Sequence, residues 1–204
     1  MPDFALEIEL GAPGRSIAGI DEAGRGPLAG PVTAAAAILP HPLPADLERL
    51  DDSKALTAAA RAALLPVILQ QCRTGIGWAS VEEIDALNIL QASMLAMCRA
   101  LRSLEADVDA VLIDGNRLPA DLPCPGQAVI GGDGKSLSIA AASIVAKERR
   151  DAEMARLASM HPGYGWETNK GYGTAAHRNA IRQLGPTPHH RRSFAPIAQL
   201  VLTV

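Results

Sequence analysis

The sequence is first notable for what it lacks. No stretch of its 204 residues is long and apolar enough to span a bilayer. Residues 1–16 have neither a basic start nor an apolar h-region. The expectation is therefore a cytoplasmic protein without a membrane partner. Cysteine is scarce: Cys72, Cys98 and Cys124 are odd in number and show no metal-type pairing, so they are expected as free thiols in a reducing compartment. There is no internal repeat and no low-complexity tract. A nucleotide-binding glycine loop is missing too. Gly134-Lys135-Ser136 looks like the end of a phosphate-binding loop, but Val129 stands where its first glycine belongs. Gly24-Arg25-Gly26 does not continue into a dinucleotide fingerprint. This argues against a sugar or phosphate-group kinase.

Acidic residues are absent after Glu167, where Lys170, Arg178, Arg182, Arg191 and Arg192 stand with three histidines. Against a net charge of -3, this +5 tail leaves a formal -8 on residues 1–167. A mildly acidic protein with a basic C-terminal face suits an anionic polymer as partner. What is present in quantity is apolar: 48% of residues are hydrophobic and 20% charged, enough for one domain with a sizeable core.

The chain is organised around Ile17-Ala18-Gly19-Ile20-Asp21-Glu22-Ala23-Gly24-Arg25-Gly26-Pro27. An apolar strand over 17–21 runs into two adjacent carboxylates, then a glycine turn carrying one arginine. Neighbouring strand side chains point to opposite faces, so Asp21 and Glu22 are expected to share a site only if the strand gives way there. Two bare acids at a strand end call for a cation. The backbone N–H groups of residues 24–26 and the Arg25 guanidinium suit an anion. Cation beside anion suggests phosphate chemistry.

Residues 1–16 read as a loose lead-in. A second strand over 31–39 is expected to pair with the first as a hairpin. A helix opens near Thr57, and Pro66 should kink or end it. A third strand spans 73–80. Ser80 and Glu83 have capping-box spacing. A longer helix runs from Asn88, and its Leu90, Met94, Met97, Leu101 and Leu104 form a stripe assigned to the core. Short strands over 111–114 and 127–130 follow. Ser138 opens a helix to about Met160 with Lys147 and Arg150 on one face. A glycine-rich loop over 164–173, a helix over 174–184 and an amphipathic segment from Arg191 complete the chain.

Three strands thus end in acids: Asp21-Glu22, Asp114 and Asp133. In open α/β sheets ligands gather at the carboxyl ends of strands. Oxygen-only donors select hard cations such as Mg²⁺ or Mn²⁺. Four carboxylates fit a two-metal site for in-line phosphoryl displacement.

These residues resemble the type 2 ribonuclease H family, the bacterial ribonucleases HII. The shared blocks are the Gly19-to-Pro27 stretch quoted above, Asp52-Ser53-Lys54, Leu87-Asn88-Ile89-Leu90, Ile113-Asp114-Gly115-Asn116, the helical run from Ile139 to Lys147, Lys170-Gly171-Tyr172 and His190-Arg191-Arg192-Ser193-Phe194. They cover about residues 17–196 in order. The lead-in is too short for the extra N-terminal domain of type 3 enzymes.

The resemblance implies an α/β ribonuclease H-like fold, a mixed five-stranded sheet flanked by helices with a helical C-terminal extension. It is expected as one domain over 1–204, with a catalytic core over about 17–160 and a basic substrate-binding extension over about 161–204. It implies endonucleolytic cleavage of RNA in RNA–DNA hybrids and cleavage 5′ of single ribonucleotides in duplex DNA, leaving 3′-hydroxyl and 5′-phosphate ends. The implied role is ribonucleotide and RNA-primer removal from DNA. Asp21, Glu22, Asp114 and Asp133 match the family's catalytic, metal-binding carboxylates, with two Mg²⁺ or Mn²⁺ ions in the active complex. Gly24, Arg25 and Gly26 match the loop that reads the ribose 2′-OH, and Tyr172 the tyrosine that senses the RNA-to-DNA junction. Lys54, Asn116, Lys147, Arg191 and Arg192 are further substrate-binding candidates. The family usually has lysine at Gly131, which Lys135 is expected to replace in part, and often proline at Gly173. A monomer is the default, and the tail carries no sequence support for a DNA clamp partner. Two alternatives stay open: a non-catalytic nucleic-acid-binding module of the same fold, and a type 1-like hybrid nuclease.

Overall fold

The computed structural model of the protein describes residues 1–53 and 55–201. Five strands, β1 (Ile17–Ala23), β2 (Val32–Ile38), β3 (Arg73–Ala79), β4 (Ala110–Asp114) and β5 (Gly126–Val129), form one sheet in the order β3-β2-β1-β4-β5. β1 pairs antiparallel with β2, and β2 with β3. β4 runs parallel to β1, and β5 to β4. The helices are α1 (Ala5–Glu9), α2 (Ala58–Gln71), α3 (Val81–Leu87), α4 (Ile89–Arg102), α5 (Leu137–Met160), α6 (Trp166–Asn169), α7 (Ala175–Leu184) and α8 (Ala195–Val201).

Small residues let helices close on both faces of this sheet. In β2, Ala34 and Ala36 join the α4 layer while Ala35 and Ala37 join the α5 layer. At Gly77 a Cβ would lie 2.1 Å from the Ala96 carbonyl oxygen, and at Gly19 it would lie 2.2 Å from the Ile139 nitrogen. These are backbone-to-backbone approaches that no larger residue permits. On the α4 face Ile20, Val111 and Ile113 are fully buried, each contributing roughly 1.5–3 kcal/mol.

The hairpin of β1 and β2 forms as expected. Thr57 caps α2, and Ser80 and Glu83 make both bonds of a capping box at the start of α3. Other details differ. Strand β1 does not give way at Asp21; it stays paired with β2 through Ala23. α2 runs through Pro66, because buried Leu64 and Ile68 hold it and the carbonyl that loses its partner belongs to exposed Ala62. α5 is capped by Ser136 rather than Ser138. The 164–173 loop contains α6.

The lead-in is not loose. Buried Glu7 on α1 accepts hydrogen bonds from Ser136 Oγ at 2.6 Å, Ser138 N at 2.9 Å and Ser138 Oγ at 2.6 Å. That places a carboxylate at the positive end of the α5 dipole. Nothing local in residues 1–16 announces a partner 129 positions away.

Gly77→Ala should destabilise the protein by about 3 kcal/mol in urea unfolding, since β3 and α4 would have to separate. Gly14→Ala, whose Cβ would find only an ordinary contact at 3.5 Å, should shift stability by less than about 0.5 kcal/mol. Equal effects would contradict the close-packing account.

Candidate active site

Because β3, β1, β4 and β5 all run in one direction, their carboxyl ends share one edge of the sheet. Asp21 and Glu22 lie near the end of β1 and Asp114 ends β4. After β5, Gly131 takes a left-handed turn with φ 63° and Asp133 follows. Asp114 Oδ1 accepts from Gly132 N at 2.7 Å, which ties this turn to the end of β4.

A cleft of about 320 Å³ opens at this edge. Asp21, Glu22 and Asp114 line it, with Gly24, Arg25, Gly26, Lys147 and Tyr172. A groove of about 210 Å³ adjoins it, also lined by Glu22 and Asp114, with Asn116, Leu90 and Met94. The stripe expected as core therefore splits. Met97, Leu101 and Leu104 are buried, whereas Leu90 and Met94 are half-buried on the groove wall. A larger hollow, about 800 Å³, lies at the opposite end of the strands among Ser16, Arg73 and Arg102, and contains none of the expected site residues.

Asp21 and Glu22 stay in strand geometry yet both reach the cleft, one from the α5 side and one from the α4 side of β1. Burial holds the Asp21 carboxyl well above the ordinary carboxylate range, and the charges of Glu22, Asp114 and Asp133 push it further. Burial also raises Glu22. Arg25, 3.1 Å away, opposes that rise, and Asp114 adds to it. Asp133 is buried and is not on the cleft wall; its charge nevertheless reaches Asp21. The four acids thus form one electrostatic group. Glu22 Oε2 is buried with no hydrogen-bond partner among the described residues. No three His, Cys, Asp or Glu side chains among the described residues are preset as a complete metal cage. Orphaned carboxylate oxygen, like-charge crowding and an oxygen-only donor set fit a hard cation that keeps waters and shares a substrate phosphate.

The remaining expected residues fall into different places. Lys147 lines the cleft, paired with Asp151 at 2.8 Å. Tyr172 is 47% exposed, and its ring lies 3.5 Å from where a Gly26 Cβ would stand. Lys54 lies outside the described residues. Arg192 is exposed and does not line the cleft. Arg191 was expected to meet duplex phosphate on the surface. Its side chain is instead 0% exposed and hydrogen-bonded to backbone carbonyls, so it has no free face for a phosphate. Lys135 Nζ donates to the Ile130 carbonyl at 2.8 Å, which sets an ammonium beside Gly131.

Sequence reasoning missed Ser53, Arg61, Ser143 and Arg150 on the cleft wall. Arg61 donates to the carbonyls of Ser53 and Leu56, both at 2.8 Å, and so holds these two residues beside the cleft. Arg150 had been placed on the right helix face, but its role in binding carbonyls has no local signal.

The tail histidines are likewise internal. Thr187 N donates to His190 Nδ1 at 2.9 Å, and Trp166 Nε1 donates to His177 Nε2 at 2.9 Å. His190 Nε2 must then carry the proton toward His177 Nε2, 3.2 Å away. His177 Nδ1–H is left to donate to the Tyr172 carbonyl at 2.9 Å. Buried, neutral histidines thereby fix the loop that carries Tyr172.

Residues 18–197 match the family model described as Ribonuclease HII. A Ribonuclease HII of Paramagnetospirillum magneticum is 60% identical over 204 residues, covering 99% of this chain and 100% of that protein. Among solved structures, the ribonuclease H2 from Pyrococcus horikoshii superposes with a TM-score of 0.75 at 24% identity, covering 92% of this chain and 98% of the other. Bst-RNase HIII in complex with Mn²⁺ superposes with a TM-score of 0.72 at 22% identity, covering 93% of this chain and 70% of the other.

Burial, with His177 close by, depresses His190 to about 4, and burial depresses His177. A histidine whose folded value lies below its unfolded value of about 6.5 stabilises above that pH. The contribution should be lost as pH falls from about 6.5 toward 4. Thermal melts of wild type and His190→Gln should converge as pH drops from 7.5 to 4.5. A gap that stays constant would refute the neutral-histidine assignment.

Proposed function

The chain belongs to the ribonuclease HII family and is an endoribonuclease acting on RNA–DNA hybrids, and from this premise we propose how its residues divide the work. Enzymes of this family use divalent metals. Asp21, Glu22 and Asp114, with Asp133 behind them, are the residues that would hold the metal, taken here as two Mg²⁺ or Mn²⁺ ions. When bound, such ions activate a water and stabilise the leaving oxygen of an in-line displacement. The single observation carrying this reading is the convergence of Asp21, Glu22 and Asp114 on one cleft at the sheet edge, with the Glu22 Oε2 atom left without a hydrogen-bond partner among the described residues.

The chain's own groups bind and orient. The half-exposed Arg25 guanidinium stays paired with Glu22 while facing the cleft. The backbone of residues 24–26 approaches the sugar, where the 2′-OH is the local mark of RNA. Tyr172, flanking Gly26, offers an aromatic face to the sugar beside the ribonucleotide. Lys147 and Asn116 lie where they can meet backbone phosphates on either side of the acids, and phosphate contacts position without reading sequence. The reading includes cleavage 5′ of a single embedded ribonucleotide, with 3′-hydroxyl and 5′-phosphate ends, as the family resemblance implies. Residues 17–160 supply the acids, and the extension from residue 161 supplies Tyr172.

The test uses a labelled long hybrid and a DNA duplex holding one ribonucleotide, with Mg²⁺ or Mn²⁺ and with EDTA. Cutting should require metal and fall on the 5′ side of the ribonucleotide. Asp114→Asn should lower cleavage of both substrates by at least about 10³-fold, a loss on the scale of a dominant electrostatic group. Full activity in EDTA, or a variant within tenfold of wild type, would overturn the carboxylate reading. Tyr172→Ala should reduce cleavage of the single-ribonucleotide duplex more than that of the long hybrid. Parallel losses would remove Tyr172 from junction sensing.

A further inference from the structure

Two guanidiniums are buried beside the recognition loop, and both bind backbone carbonyls. Arg150 donates to Pro31 at 3.2 Å, Lys170 at 3.0 Å and Ala29 at 3.2 Å. Arg191 donates to Gly30 at 3.0 Å, Arg25 at 2.9 Å, Gly24 at 2.6 Å and Pro31 at 3.2 Å. Arg191 also lies over the Phe194 ring, 5.1 Å from its centroid. Neither guanidinium has a carboxylate within ion-pair distance among the described residues. Burying such a charge is costly, so the arrangement calls for a reason beyond packing.

Peptide geometry supplies one. The C=O of residue i and the N–H of residue i+1 share a plane and point in opposite directions across a trans bond. Both bonds here are trans. Arg191 holds the Gly24 and Arg25 carbonyls, so the N–H groups of Arg25 and Gly26 are turned away from it. Neither N–H donates a hydrogen bond to another described residue. Arg191 is absent from the cleft wall, whereas Gly24, Arg25 and Gly26 form part of it. Arg150 blocks the opposite movement: a Cβ on Gly24 would lie 1.8 Å from Arg150 Nε.

We propose that Arg191 is a positioning residue for ribose recognition, holding two successive carbonyls so that the N–H groups of Arg25 and Gly26 face the substrate as a preset pair of donors. This rests on the reading that residues 24–26 contact the ribonucleotide. A guanidinium suits the task because its five N–H donors lie in a rigid fork; one ammonium cannot hold four carbonyls from the same place.

The experiment compares Arg191→Lys with wild type by equilibrium binding in EDTA. The probes are two duplexes that differ only in one ribonucleotide. Wild type should favour the ribonucleotide duplex by about tenfold, the scale of one or two hydrogen bonds. Arg191→Lys should bind both duplexes alike, with all-DNA binding within about twofold of wild type. A merely structural role would weaken both equally and leave the ratio unchanged, and that result would overturn the inference alone. A wild type that binds both duplexes alike would overturn the loop reading and this inference with it. If Arg191→Lys does not fold, amide exchange on wild type decides. The Arg25 and Gly26 amides should exchange freely in the free protein and become protected by the ribonucleotide duplex only. Protection in the free protein would overturn the proposal.

Discussion

Repulsion among converging carboxylates is the constraint around which this protein is built. Asp21, Glu22, Asp114 and Asp133 lie at one sheet edge, and desolvation of Asp21 and Glu22 adds to the repulsion these two feel from their neighbours. Among the described residues, the cations nearest Asp21 and Glu22 are largely engaged elsewhere. Arg25 answers Glu22 from a half-exposed position, Lys147 is paired with Asp151, and Arg150 and Arg191 are turned to carbonyls. Glu22 Oε2 finds no hydrogen-bond partner among the described residues, and a bound cation would supply one. A fold that carries such a cluster has to hold it rigidly, because relaxed acids would drift apart toward water.

The rigidity comes from close backbone contacts. Gly19 admits the start of α5 two residues before Asp21, and Glu7 fixes that same helix start through Ser136 and Ser138. The Gly132 N–H bond to Asp114 joins two acid-bearing turns. On the other side, Arg150, Arg191 and the histidine chain sew the C-terminal segment onto the recognition loop. The loop and Tyr172 therefore share one support, although about 146 residues separate Gly26 from Tyr172.

Much of this is legible in the sequence where local chemistry decides it. The strand carrying Asp21-Glu22, the Ser80 capping box and the Thr57 cap follow from residue type and spacing and are found, although that strand runs on through Ala23. The four acids were identified because each ends a strand near a glycine, and the family resemblance specified their company. What was illegible depends on distant partners. Glu7 looks like a surface acid until α5 meets it. Arg191 looks like a phosphate contact because charge alone does not say whether an arginine faces solvent or carbonyls. His177 and His190 read as part of a basic face and turn out neutral and buried. Pro66 reads as a helix breaker, but tertiary burial of Leu64 and Ile68 outweighs one lost hydrogen bond.

The central claim is that the acids are held together against their own repulsion, at the expense of stability when no metal is bound. Urea unfolding of Asp21→Asn and wild type, both in EDTA at pH 7.5, tests it most directly. Asparagine keeps the oxygen that accepts from Glu22 N at 2.7 Å and removes the charge, placing an amide NH2 where the other oxygen stood. The account predicts a variant more stable than wild type by on the order of 1 kcal/mol. A less stable variant would show that Asp21 is held by favourable interactions within the protein, and would contradict it.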